Sequence, residues 1–352
     1  RRCSMSRKVS AGGKSKCAIE CAIEATGVAM VGALRTEYPE TSASISAGGS
    51  WTGHADKACL KAIGWTDDDI AYYQKYGVNW NEEDDEFHKV PQENIDLYGV
   101  LTVDNISTYK DRIVYLPKID TSTESSLNFT FSGCNLLVAI PMLDTSRCTS
   151  MRYTFQGCSS LVLIPPLDTS NVDDMNAMLR DCYSLVLIPP LNTSNVKDMS
   201  YMLYSAESLR VFPQLDMSRV TNANNMLQGC RAITHLPPLN TSRVTDMGYM
   251  LSYCTELSSI EELDMLNVTS AGEMLLYNYG IRACHIKNLM SSIKINKTPF
   301  LEKESLVYMI QNAAPTSAIT ITLSSYCYNK YNADQDVVAA LSAQPLVSLA
   351  SA

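Results

Sequence analysis

A 24-residue period runs through the middle of this chain and leaves few architectures open to it. Cys134, Cys158, Cys182, Cys230 and Cys254 fall on one register, with Ala206 on the missing rung. Pro117, Pro141, Pro165, Pro189, Pro213 and Pro237 fall on a second. Two residues after these come Ile119, Leu143, Leu167, Leu191, Leu215, Leu239 and Leu263. Asp120, Asp144, Asp168, Asn192, Asp216, Asn240 and Asp264 follow directly. Seven turns between residues 107 and 281 keep this register with no insertion.

Each copy has two halves. The first, Leu161-x-x-Ile164-Pro-Pro-Leu167, suits a strand, and Pro165 and Pro166 end its hydrogen bonding because proline has no N–H. The second sets Met175, Met178, Leu179 and Cys182 at i, i+3, i+4 and i+7, one face of a helical turn. Thr169-Ser170-Asn171 supplies N-cap chemistry for it, and Asp173 and Asp174 suit its positive end. One copy cannot bury its apolar side alone, but stacked copies share one core. The expectation is an α/β solenoid of the leucine-rich-repeat type, with parallel strands on one face and short helical turns on the other. A small α-rich segment would cap its start and an α+β segment its end. At about 4.8 Å per layer, seven coils make an arc roughly 30 Å long.

The run P-x-L-D-T-S-x-V-x-D-M-x-x-M-L-x-x-C-x-x-L resembles the BspA-like leucine-rich repeats. The usual Phe after the second Met survives as Phe131 and Phe155 and is Leu in later copies. The likeness covers about half of the chain. It implies a role like that of the family's members: surface proteins of gut and oral bacteria, mycoplasma lipoproteins and phage structural proteins. It brings no catalytic residues.

The flanks divide the remainder. Residues 1–54 read as an extended segment that packs on a partner, opening on a basic run, RRCSMSRKVSAGGKSK. Residues 17–34 are small and apolar, but Glu20 and Glu24 argue against a signal segment. The first residue is Arg1, so the chain is read as a piece of something longer. Residues 55–106 read as the α-rich cap, with a helix capped by Thr66 and an acidic run, Glu82–Glu86, that lacks calcium-loop spacing. Residues 107–285 hold the repeats. Residues 286–352 form the α+β cap, with helices over 301–313 and 334–341 and strands over 319–323 and 346–349.

Composition narrows the chemistry. A net charge of −9 argues against a nucleic-acid partner. No apolar run is long enough to span a membrane. Four scattered histidines and the lack of any C-x-x-C pair give no metal site, and no phosphate loop or nucleophile elbow is present. The expectation is therefore a non-enzyme with no catalytic residue, no cofactor and no metal. The cysteine column reads as buried thiols, because a regular ladder gives each sulfur two equivalent neighbours. The methionine column (Met178, Met202, Met226, Met250, Met274) reads as core filler.

Columns that vary between copies remain for recognition. Tyr183 and Arg231 lie in the column after the cysteines, Arg210 and His235 in the columns after the central Leu. Tyr201, Tyr204, Tyr249 and Tyr253 lie on or beside the turn. Exposed Tyr and Arg are favoured contact residues. The expected function is that of a bacteriophage virion appendage (tail, collar or head fibre) assembled in the host cytoplasm. Its partners would be other virion proteins or a host-surface protein or glycan, with self-association left open. The alternative is a bacterial cell-surface or secreted adhesin.

Overall fold

The computed structural model describes residues 57–75, 94, 96–212 and 215–352. The expected partner-packed segment 1–54 and the acidic run Glu82–Glu86 lie outside them. The chain divides into two compact units, residues 1–90 and 91–352. In the first, α1 (Lys57–Ala62) precedes α2 (Asp67–Lys75). Thr66 and Asp69 cap α2 reciprocally: the Asp69 carboxylate accepts from the Thr66 N–H at 2.7 Å, and the Thr66 hydroxyl accepts from the Asp69 N–H at 3.2 Å.

The second unit overturns the expected fold class. Among the described residues it is not an α/β solenoid with a continuous strand face and helical turns. It contains two small parallel sheets of three strands each. The first comprises β1 (His235–Leu236), β2 (Ser259–Asp264) and β3 (Ala283–Lys287). The second comprises β4 (Ile293–Ile295), β5 (Ile319–Leu323) and β6 (Val347–Ser351). On their strand side, earlier copies pair through isolated parallel bridges, such as Tyr115 with Ala139 and Leu163 with Leu187. Proline accounts for this. β1 ends at Leu236, directly before Pro237, whereas β2 runs on because Glu261-Glu262 stand in the proline columns. His285-Ile286 do the same for β3.

The helical turns are absent too. After α3 (Ile106–Tyr109), no described residue up to Asn288 is in a helix. Phe129, Tyr153, Ala177, Tyr201, Asn225, Tyr249 and Glu273, each 24 on from the last, all have φ between 52° and 61°. Four residues later Gly133, Gly157, Asp181, Ser205, Gly229, Tyr253 and Tyr277 are left-handed as well. Two left-handed residues in five forbid an α-helix. The N–H groups of Met151, Tyr153, Phe155 and Gly157 instead donate to the carbonyls of Asp174, Asn176, Met178 and Arg180 in the next copy, at 2.8–3.0 Å. The residues between them close tight turns, as in Gln156 N–H to Tyr153 O and Cys158 N–H to Phe155 O. Side chains still recur inward at three- and four-residue steps, which is why the pattern imitates a helix.

Copies stack in register all the same. Ser126, Ser150, Asp174, Asp198, Asn222, Asp246 and Ser270 bridge one to the next in parallel. Their shared core is a set of columns. Phe131 stacks on Phe155 at 5.1 Å, and Met178, Met202, Met226, Met250 and Met274 are buried. The cysteine column does more than fill space. The thiols of Cys158, Cys182, Cys230 and Cys254 donate to the carbonyls of Phe131, Phe155, Leu203 and Leu227 in the preceding copy, at 3.1–3.2 Å. Asn278 takes the same position in the last copy and donates to Leu251 O at 2.7 Å. Burial pushes the Cys134, Cys254 and Cys284 thiols up to about 12, so they stay protonated.

At the corner after the proline, Asp120, Asp144 and Asp168 each accept the N–H and hydroxyl of the serine two residues on. The buried hydroxyls of Thr121, Thr145 and Thr169 donate across to the carbonyls of Asp144, Asp168 and Asn192. Beyond β4, α4 (Lys303–Gln311), β5, α5 (Ser325–Tyr331), α6 (Gln335–Ala343) and β6 close the unit. α4 packs against β3, where the Ser305 hydroxyl accepts the Cys284 N–H at 2.9 Å. Ser324 and Asp334 cap α5 and α6 through their side chains.

Candidate recognition surface

The left-handed turns decide what the stack displays. A residue in the second left-handed column projects at the edge of its rung, next to the residue 24 away. Tyr253 and Tyr277 meet there with ring centroids 4.6 Å apart, and Tyr279 lies 6.2 Å from Tyr277. Partial burial and the phenols of Tyr277, Tyr279 and Tyr204 raise the Tyr253 hydroxyl above its ordinary value. Tyr201 and Tyr204 stand 5.7 Å apart, and the Arg180 guanidinium lies over both, 5.3 and 5.0 Å from the two centroids. Such cation–π contacts contribute about 0.5–1 kcal/mol each at exposed sites. Asp181 holds Arg180 from the side, Oδ2 to Nε at 3.2 Å.

Tyr183, 45% exposed, belongs to the same cluster. Its hydroxyl is raised by burial first, then by the carboxylates of Asp181 and Glu207. Glu207 in turn faces Arg231 of the following rung at 3.6 Å. The structure therefore brings together Tyr183, Tyr201, Tyr204, Arg231 and Tyr253. Tyr249, 40% exposed, sits in the first left-handed column beside them in sequence. His235 and Arg210 fall elsewhere in their rungs. His235 begins β1, exposed, with its ring bonded to Thr234 Oγ1 at 2.9 Å, and Arg210 is half-buried before the proline corner.

Sequence reasoning passed over Arg180, the cation that organises two of the tyrosines. It also passed over Tyr279 and the Phe129–Tyr153 stack at 4.7 Å. The available signal was the column Ser132, Gln156, Arg180, Tyr204, which changes at every copy.

A second concavity opens along the acidic corner. It is a groove of about 680 Å³ lined by Leu191, Leu215, Leu239, Asp216, Asp264 and Lys287, among others. Lys287 is tied to Glu262 at 2.7 Å. No expected site residue lines it. Among the described residues no cluster of three metal-ligating side chains occurs, and no helix is long and apolar enough to cross a membrane.

Two stretches of the repeat, residues 125–237 and 209–288, are similar to a family described as Mycoplasma protein of unknown function, DUF285. Together they span slightly less than half of the chain. No curated protein matches it.

Proposed function

We propose that this chain is a non-enzymatic recognition and structural protein, a bacteriophage virion appendage whose stacked copies present a binding surface to another virion protein or to the host surface. The observation that carries this reading is the convergence of Arg180, Tyr183, Tyr201, Tyr204 and Arg231 on neighbouring rungs. Tyr supplies large contact area at little entropic cost and Arg supplies directional donors, and both concentrate where proteins recognise partners. The resemblance to the BspA-like repeats supports the same class of role.

A second reading is a cell-surface adhesin. The similarity to a family described from Mycoplasma favours it, because that description places related repeats in a cellular organism. Gold-labelled antibody against the chain separates the two. Label on purified particles in electron micrographs supports the virion reading, and label on intact cells supports the adhesin. Absence from both ends the recognition reading.

A further inference from the structure

We infer that the outer edge of β6 pairs antiparallel with β6 of a second copy of this chain, about a two-fold axis. This interface lies apart from the recognition surface and does not rest on it.

The parallel ladders of the second unit begin and finish differently. At the beginning, Tyr115 bridges Ala139 on one side, and a side chain closes the other. Asn94, fully buried, accepts the N–H groups of Val114 and Tyr115 through Oδ1, both at 2.9 Å. Its Nδ2 donates to Arg112 O at 2.7 Å. A carboxamide thus stands in for a neighbouring strand. At the other end, β6 is the outermost strand of the order β4-β5-β6, and no strand lies beyond it among the described residues. It pairs with β5 from Val347 opposite Ile319 to Ser351 opposite Leu323. The Ile319 N–H donates to Leu346 O at 2.8 Å and the Ala352 N–H to Leu323 O at 2.9 Å. Backbone groups alternate sides along a strand, so Leu346, Ser348, Ala350 and Ala352 face β5. Leu349 and Ser351 therefore turn their N–H and C=O outward, and Val347 its C=O. The Val347 N–H is already taken by Gln344 O at 2.9 Å.

The core opens at the same edge. Ile293, Ile321 and Leu349 form one file by register, and the first two are buried while Leu349 is only half-buried. Leu346, which leads into the strand, is 41% exposed.

Charge and symmetry select the occupant. Sheet edges are normally guarded by lysine, proline, a bulge or an inward charge. Residues 337–352, VVAALSAQPLVSLASA, hold no charged side chain, and Pro345 precedes the strand. The chain as a whole carries −9, so copies repel one another in general, but this edge meets its own image with no like charges opposed. A charged partner would find no counter-ion here. Head-to-tail stacking is barred, because Asn94 occupies the edge that would receive β6. An antiparallel pair centred on Leu349 closes on itself. Each Leu349 N–H donates to the Leu349 O of the partner copy, and each Ser351 N–H to its Val347 O, which uses every outward N–H. Directly opposed residues share a face of the sheet, so the two half-buried Leu349 side chains cover one another.

Sedimentation equilibrium of the full chain over a hundred-fold dilution series should show a monomer–dimer equilibrium. Hydrogen exchange read by mass spectrometry should protect residues 346–352 in the concentrated sample and not in the dilute one. Ser351→Pro removes an outward N–H at an exposed position without touching a bond to β5, and should weaken dimerisation at least ten-fold. Leu346→Lys leaves the backbone intact, sets like charges beside the edge, and should weaken dimerisation less in high salt than in low. Tyr183→Ala, in the recognition surface, should change nothing. Thermal unfolding checks each variant, and Leu346→Lys decides the matter if Ser351→Pro does not fold. A monomer at every concentration, an open-ended polymer, protection confined to other segments, or a dimer that survives the edge variants overturns the inference. None of these results bears on the recognition reading, which the labelling experiment tests.

Discussion

Copies that turn on Pro165-Pro166 and Pro189-Pro190 touch along their strand edge through one bridge, Leu163 with Leu187. Copies that carry Glu261-Glu262 and His285-Ile286 in the same columns pair as β2 and β3 at four positions, on both sides of a bulge between Ile260 and Leu263. The buried side chains hardly differ: Ile164 and Ile188 in the first case, Ile260 and Cys284 in the second. Strand length here is therefore set by whether an N–H is available, and stacking by the core and the turns. A chain can hold parallel copies in register with very little conventional sheet.

The sharpest way to break that comparison is to attack the core of a proline copy. Phe155→Ala removes a fully buried ring stacked on Phe131 and is expected to cost about 3–5 kcal/mol, read as a drop in urea midpoint. A cost below that of shortening β2 would show that strand pairing, not the core, holds copies together. Glu261→Pro with Glu262→Pro converts a sheet copy into a proline copy. A loss of about 1–3 kcal/mol is expected, with amide-exchange protection lost beyond Ile260 but kept in the turn at Met247–Tyr253. Loss of protection in both places would mean that turn and strand are one cooperative element.

Smaller effects test the corner. Thr169→Val keeps the shape but removes the donor to Asn192 O, 2.9 Å away, and should cost about 1 kcal/mol in chemical unfolding. The smallest effect concerns pH. Hydrogen bonds from Ser122, Ser146 and Ser170, the hydroxyls above all, hold the carboxyls of Asp120, Asp144 and Asp168 below their ordinary value. A depressed folded pKa stabilises the fold above the unfolded value near 4, and this stabilisation disappears as pH falls through the folded value. Urea midpoints should fall slightly between pH 5 and pH 2.5, and Ser146→Ala with Ser170→Ala should flatten that slope. An unchanged slope would mean that the serine bonds are equally formed in the unfolded chain.

The columns themselves were legible from the residues, because a core that repeats every 24 positions must repeat its apolar types. The strand break at Pro165-Pro166 was legible too, since a missing N–H is a local fact. The turn was not. Met175, Met178, Leu179 and Cys182 satisfy a helical spacing, and the features that forbid the helix, Ala177 and Asp181 in left-handed backbone, are residue types a helix also accepts. The glycines of the same column, Gly133, Gly157 and Gly229, carried the hint. For the candidate surface, the exposed tyrosines could be picked out as variable positions. That Arg180 would bind two of them from the preceding rung depends on rung-to-rung geometry, which spacing alone does not supply.

The one-way file of N–H groups along the turns has an electrical consequence. In ordinary sheets strand dipoles nearly cancel. Here four peptide groups per rung point toward the next copy along one edge, and bonds such as Thr149 N–H to Ser125 O run backward elsewhere in the rung. The turn edge thus has a polarity of its own, carbonyl-rich at its first rung and amide-rich at its last. The ions at its two ends have matching signs. Lys110 lies beside Gly133 at the acceptor end, its Nζ 3.9 Å from the position a Cβ would occupy, and Glu273 stands on the final rung, tied to Lys294 at 2.9 Å. Removing a whole internal copy leaves both termini of that file neutralised, whereas trimming from either end strips one of them. Shortened forms of this protein should therefore tolerate internal excision better than truncation.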